Sequence, residues 1–332
     1  MSNDVSQEWV IGLDAGGTRT RAVLAAAEDG RHLGEGAAGP GNALTVPVPL
    51  LTDHLAEAIG QAVPEALRAR VVAVSGGFAG ATAASTEEPG HVNARAALTA
   101  ALGRLGIPAD RLRVCSDIEA AFASAPGTPA DGLALVAGTG AVALRITGRT
   151  TTTSVDGDGW LLGDDGSGFW IGRSAVRAAL RMADGRGPTT VLADSVGQAL
   201  GVPAEELPGD GAWSRAHREA YRMRVLPAVM AELPIRLARF APLVVEAAGK
   251  RDTVAEGILD DAAAQLLDTV RALEPKPGER IVATGGLLGP EGPLTASLTA
   301  RLHTLGLTLD WVPDGCRGAV ALARLAHDGH PR

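Results

Sequence analysis

Cysteine and aromatic residues are scarce in this chain of 332 residues: two Cys, five Trp, four Phe and one Tyr, the aromatics making up 3%. Cys115 and Cys316 stand far apart, which excludes a disulfide framework and a zinc pattern. The seven His residues are scattered without metal-ligand spacing. No apolar run approaches the roughly 20 residues that a membrane helix needs. The opening MSNDVSQEW is polar and acidic, so no secretory signal is expected. Basic residues form no stripe and the net charge is −8, which argues against nucleic acid or an anionic membrane as partner. The chain is expected to be soluble and cytoplasmic. It also lacks a Gly-Lys-Ser/Thr P-loop and a G-x-G-x-x-G turn opening a helix.

What is present is glycine, 43 residues of it, and a hydrophobic fraction of 46%, enough for two domains with sizeable cores. Residues 10–25 read VIGLDAGGTRTRAVLA. Two strand-like runs flank a Gly-Gly turn, which predicts a β-hairpin. Its converging N–H groups form a nest for an anion, most often phosphate. Asp14, at the end of the first strand, would stand beside that anion, where a carboxylate needs a cation between them; Mg²⁺ is the usual one. Residues 133–146, LALVAGTGAVALRI, repeat the design about 120 residues later. Two such hairpins across a cleft would hold the two ends of a triphosphate, and the repetition points to a duplicated architecture.

Strands and helices alternate over the first 120 or so residues, which predicts an α/β domain around a mixed sheet. Helical spacing is read over 52–69, 94–105 and 118–124, with buried strands at 71–75 and 112–115. The second half is richer in helix, with helical runs at 169–183, 193–200, 212–230, 235–248, 253–273 and 319–327. Strands are expected at 281–283 and 307–312. Residues 124–131 contain two prolines and make the best boundary, giving domains of 1–124 and 125–332, with helix 319–327 a candidate to pack back on the first.

Three acids fall where strands end beside glycine or a helix start: Asp14, Asp117 and Asp164. Open α/β sheets bind ligands there. Asp117 reads both as a helix N-cap and as a base for a substrate hydroxyl, the group that phosphoryl transfer to an alcohol requires. The loop 156–168 begins Asp156-x-Asp158, but Ser167 stands where an EF-hand places its bidentate Glu. Trp160, Phe169 and Trp170 flank it; singly they read as core, and with the acids they suit a sugar site. Asn42 follows Gly39-Pro40-Gly41, and Thr284-Gly285-Gly286 follows a buried strand. Both read equally as turns or as ligand contacts.

The order D-x-G-G-T-x-T-R (14–21), G-P-G-N (39–42), S-G-G (75–77), S-D (116–117), G-T-G (138–140), G-W-x-x-G-D-x-G-S (159–167) and T-G-G (284–286) resembles the N-acetylglucosamine kinases, in the BadF/BadG/BcrA/BcrD-type ATPase group of the actin/hexokinase/Hsp70 superfamily. The likeness runs from about residue 9 to 326, and GDDGSGFWIG (163–172) is its most specific part. It implies two actin-like (ribonuclease H-like) α/β domains closing over a cleft, ATP and Mg²⁺ as cofactors, an amino-sugar substrate phosphorylated on its 6-hydroxyl, and commonly a homodimer. By motif position, Asp14 would place Mg²⁺, and Gly16, Gly17, Thr18 and Thr20 would form the first phosphate loop. Gly138, Thr139 and Gly140 would form the second, and Gly285 and Gly286 the adenosine loop. Asp117 would be the catalytic base, and Asn42, Ser75, Gly76, Asp117, Thr139, Trp160 and Asp164 would hold the sugar. The segment Asp156-Gly-Asp-Gly before Trp160 leaves the sugar's 2-substituent open, so a glucosamine kinase is the nearest alternative. A dehydratase-activating ATPase of the same group would need cysteines placed for an iron–sulfur cluster. A non-catalytic sugar sensor would have no use for two intact phosphate loops. The zinc-binding Cys/His cluster usual in ROK-family sugar kinases is missing.

Overall fold

The computed structural model describes residues 7–82, 84–108, 110–209 and 213–329. It opens with an antiparallel meander of β1 (Trp9–Ala15), β2 (Thr20–Ala26) and β3 (His32–Ala38). Helices α1 (Val48–Ala62) and α2 (Glu65–Arg68) lead to β4 (Val71–Phe78), α3 (Pro89–Leu105), β5 (Arg111–Ser116) and α4 (Asp117–Ala123). The second half repeats the plan with a meander of β6 (Gly132–Ala137), β7 (Ala141–Thr147) and β8 (Thr150–Asp156). Then come α5 (Gly168–Ala183), α6 (Leu192–Ala199), α7 (Arg215–Met230), α8 (Ala241–Gly249) and α9 (Thr253–Arg271). The chain closes with β9 (Arg280–Thr284), α10 (Thr295–His303), β10 (Thr308–Trp311) and α11 (Cys316–His327).

The two five-stranded sheets have matching orders, β3-β2-β1-β4-β5 and β10-β9-β6-β7-β8. In the first, β4 and β5 run parallel to β1; in the second, β9 runs parallel to both β6 and β10. This is a mixed α/β architecture built twice on one plan. Strand alternation sorts the first core. Ile11, Leu13 and Leu24 bury one face against Leu55, Ile59 and Leu98 of α1 and α3. Each fully buried large aliphatic side chain contributes about 1.5–3 kcal/mol. Val10, Val23 and Ala73 turn the other way and meet Val320 and Ala323 of α11, so the last helix lies on the first sheet. Gly12 makes that approach possible: a Cβ there would stand 2.5 Å from the backbone nitrogen of Val320. Phe122 of α4 packs with Leu144, Ile146 and Val282, so the helix that follows the first sheet lies against the second.

Several helical boundaries differ from the sequence reading, each with a local cause. The run expected over 52–69 divides into α1 and α2, because Pro64 forces Val63 into an extended conformation (φ −117°, ψ 102°). The run expected over 235–248 is a 3₁₀ stretch, Pro234–Phe240, followed by α8, whose first turn accommodates Pro242. The run expected over 212–230 starts at Arg215, capped by the Ser214 hydroxyl; Ala212 lies outside the described residues. Helix α10 was not anticipated.

Candidate active site

Both glycine turns are hairpins with partly exposed tips. In the first, Gly16 N–H donates to Arg19 O at 2.9 Å, and Gly41 N–H donates to Gly16 O at 2.8 Å, which ties the Gly39–Gly41 loop to the turn. Gly17 has open space where a side chain would be, and Thr18 is exposed. Thr20 is buried beneath, its hydroxyl without a partner among the described residues. In the second hairpin Gly138 N–H donates to Gly140 O at 2.9 Å. The first amides of α5 hold it from behind: Gly168 N–H donates to Gly138 O at 2.8 Å and Phe169 N–H to Thr139 O at 3.1 Å. Gly285 packs on the same hairpin; its φ is +102°, and a Cβ there would lie 2.2 Å from Ala137 O, so only glycine fits. Gly286 is exposed beside it.

Asp14 sits opposite Gly77 in the β1–β4 register, and a Cβ on Gly77 would be 3.2 Å from the Cα of Asp117. The two acids therefore flank one point at the strand ends. Asp117 is not the cap of its helix. Ser116 is: its hydroxyl accepts from Glu119 N–H at 3.0 Å while its own N–H donates to Glu119 Oε2 at 2.9 Å, a full capping box. The Asp117 carboxylate is thus not needed for capping and accepts from Ile118 N–H at 3.0 Å. Burial, and then the nearby charge of Asp14, push its pKa up to about 6. Asp14 is raised as well, first by burial, although Gly315 N–H donates to it at 3.3 Å.

Asp314 is the acid that the sequence reading missed. It sits in the Pro313-Asp314-Gly315 turn, about 300 residues from Asp14, and no local signal joins the two. Oxygens of Asp14 and Asp314 and the Cys316 sulfur lie within 4.8 Å of one another, and Arg21 pairs with Asp314 at 2.5 Å. The two carboxylates suit a hard divalent cation such as Mg²⁺; the thiol does not. A cavity of about 800 Å³ opens beside them, lined among others by Arg19, Arg21, Trp311, Asp314 and Arg317.

The sugar candidates divide into three kinds. Asp164 is nearly buried, at positive φ (+57°), and its Oδ1 accepts from Ala141 N–H at 3.0 Å, which binds it to the second hairpin. Trp160 is 41% exposed and meets Phe169 edge-on with centroids 6.1 Å apart. Asn42 Oδ1 accepts from Leu44 N–H (2.9 Å) and Thr45 N–H (3.1 Å), so its oxygen shapes the loop and its amide N–H₂ has no partner among the described residues. Ser75 and Gly76 are enclosed in β4; the Ser75 hydroxyl is fully buried and has no partner among the described residues, on the sheet face that Gly12 turns to α11. Asp156 has a structural task. It accepts from Asp164 N–H (2.7 Å), Asp165 N–H (2.9 Å) and Gly157 N–H (2.7 Å), and so folds the loop that presents Trp160 and Asp164. Asp158 is exposed.

The chain resembles known proteins along most of its length. A model of the BadF/BadG/BcrA/BcrD ATPase family matches residues 11–300. A Clostridium acetobutylicum protein named N-acetylmuramic acid/N-acetylglucosamine kinase is 27% identical over 274 residues, covering 80% of this chain and 79% of its own length. A solved structure from Chromobacterium violaceum, provisionally assigned as an N-acetylglucosamine kinase, superposes with a TM-score of 0.67 at 24% identity, covering 95% of this chain and 99% of its own. A ROK-family glucokinase from Streptomyces griseus, solved with glucose and AMPPNP, shares the fold with a TM-score of 0.53 at 20% identity, covering 97% of this chain and 100% of its own.

Proposed function

The chain belongs to the BadF/BadG/BcrA/BcrD ATPase family, and within it we propose that this protein is an ATP-dependent kinase transferring the γ-phosphoryl group to the 6-hydroxyl of an amino sugar, N-acetylglucosamine first among them. The observation that carries the reading is the placement of Asp117: a half-buried carboxylate not used as the helix cap, with a raised pKa, beside Asp14 where β1 runs into the first glycine hairpin. Relatives named as sugar kinases support the reaction class.

Asp117 accepts the proton of the attacking hydroxyl. Amides of Gly17 and Thr18 on one side, and of Thr139 and Gly140 on the other, hold the phosphates, while the Gly16 and Gly138 amides close the two turns; the adenosine end lies against Gly285 and Gly286. Asp14 and Asp314 would hold Mg²⁺, which supplies charge neutralisation at the phosphates when bound. Asn42, Trp160 and Asp164 orient the sugar. Closure of the two halves excludes water.

An N-acetyl group is preferred to a free amine because, of the two acids before Trp160 that could receive an ammonium, Asp156 is committed to three backbone N–H groups and Asp158 is exposed. An iron–sulfur ATPase is disfavoured because both cysteines are buried; Cys115 donates to Gly76 O, and burial pushes its thiol up to about 12. Cytoplasmic location and a homodimer belong to the same proposal, the latter checked by light scattering. The deciding assay is ADP release from Mg-ATP with N-acetylglucosamine, glucosamine, glucose, N-acetylmannosamine or N-acetylmuramic acid, each alone. One amino sugar should dominate. ADP release indifferent to every sugar would end the kinase reading.

A further inference from the structure

Away from the cleft, one cavity gathers four arginines against a single acid, with no ion pair to any of the four among the described residues. It has a volume of about 700 Å³ and opens between α3, β5, the β7–β8 turn and the end of α11. Arg95, Arg111, Arg113 and Arg149 line it, together with His91 and one acid, Asp110. The chain as a whole is acidic, at −8. Eleven other arginines form ion pairs with carboxylates. None of these four does so among the described residues.

Three of the four are held by carbonyl groups instead. Arg111 donates to the carbonyls of Ala326 and His327, Arg113 to Arg149 O at 3.2 Å, and Arg149 to Thr128 O at 3.1 Å. Such bonds fix the side chains and leave the charge in place, with most of the five N–H groups of each guanidinium unused. Arg95 has no partner among the described residues. It stands one helical turn after His91 on α3, and no side chain caps the N-terminus of that helix, so the partial positive charge of its first turn adds to the cluster. Guanidinium groups gathered in excess over the one acid, in a cavity of ligand size, suit the oxygens of a phosphate group.

We propose that this cavity is a second ligand site, which binds a phosphorylated small molecule through Arg95, Arg111, Arg113 and Arg149. The site spans the two halves of the molecule. Arg95, Arg111 and Arg113 belong to the first sheet and its helix, and Arg149 to the turn of the second meander. Thr150 also lines the cavity, and its neighbour Thr151 donates to Glu119 of α4 at 2.7 Å. A ligand bridging Arg95 and Arg149 therefore ties together the halves whose closure forms the cleft.

The test is calorimetric titration of the full chain with inorganic pyrophosphate, and separately with inorganic phosphate and N-acetylglucosamine 6-phosphate. Wild type is compared with Arg95→Glu and Arg113→Gln. Arg95 makes no bond to lose, and it lies outside the proposed catalytic machinery, so Arg95→Glu should melt like wild type and keep its sugar turnover. We expect a pyrophosphate-binding component that weakens at least tenfold in both variants, with a strong dependence on salt. The order of affinities among the three probes then identifies the source of the phosphate group. Equal affinity in wild type and both variants would assign all anion binding to the cleft and overturn the proposal, as would the absence of binding heat.

Discussion

Replacing Asp117 with Asn should remove activity and add stability. Asn keeps the size of the side chain and its acceptance from Ile118 N–H (3.0 Å). It cannot take a proton from a hydroxyl. Loss of a general base costs about 10²–10⁴ in rate, or about 3–5 kcal/mol of transition-state stabilisation. The stability effect runs the other way. The Asp117 pKa is raised from 3.8 to about 6 in the folded protein, so between these values the folded state binds more protons than the unfolded state. Stability attributable to this group therefore falls as pH rises from 4 to 6. At 1.36 kcal/mol per unit, the full effect is about 3 kcal/mol at neutral pH. The variant should accordingly melt several degrees higher than wild type at pH 7.5 and equally at pH 3.5–4, where wild type is itself neutral at this site. Sugar binding by calorimetry should persist. The wild-type kcat/KM should fall on the acid side with an apparent pKa near 6. Turnover within a few-fold of wild type, or a lower melting temperature at pH 7.5, would refute the assignment.

Three further variants probe the surroundings. Asp156→Asn puts an amide N–H₂ among three backbone donors; we expect a loss of about 1–3 kcal/mol in denaturant stability and a raised KM for the sugar with that for ATP little changed. Gly318→Ala brings a methyl group within 1.9 Å of Ala120 O at the crossing of α4 and α11. Backbone cannot yield there as a side chain can, so we expect destabilisation of about 3 kcal/mol, the upper end of overpacking costs, read by urea melts. Trp160→Ala removes an exposed ring that makes one aromatic contact; the melting temperature should hold while sugar KM rises, and an unchanged KM would take Trp160 out of the site.

The parts of the fold legible in the sequence are those written in local chemistry. Asp14 with Gly16-Gly17, and Gly138-Thr139-Gly140, announce hairpins because glycine spacing and flanking apolar runs are local properties. The matching strand orders follow from their repetition. The capping of α4 was legible only in part. Ser116 and Glu119 satisfy the capping-box pattern as well as Asp117 satisfies the simpler N-cap preference, and the decision rests on side-chain geometry. The division near Pro64 was signalled by the proline itself. The Asp14–Asp314 pair and the arginine cavity were not legible. Each is assembled from segments far apart in the chain, and a lone Asp in a Pro-Asp-Gly turn looks like any other turn. The part Asp156 plays was not legible either, since an acid in a Gly/Asp-rich loop has no local signature of its partners; the three N–H groups around it show that it organises the loop.

Glu119 joins these themes, since it was read only as part of a helix and yet is 1% exposed and touches both halves. One oxygen accepts from Ser116 N–H, directly before Asp117; the other accepts from Thr151 N–H of β8 at 2.7 Å. Strand β8 runs on to Asp156, which folds the loop carrying Asp164. A single carboxylate thus links the proposed base to the proposed sugar loop. Glu119→Gln offers one acceptor where two donors must be met, so one buried N–H is left facing another donor, at a cost of about 1–3 kcal/mol. It also removes a negative charge that helps to raise the pKa of Asp117. If Glu119 only supports the fold, the variant will be less stable with an unshifted pH profile. If it holds and tunes the base, kcat will fall more than sugar binding weakens, and the acid limb of the profile will move to lower pH. Glu119→Asp, with its charge retained but too short to reach both donors, should lose kcat and leave the limb close to its wild-type position. The pair of variants therefore separates geometry from charge.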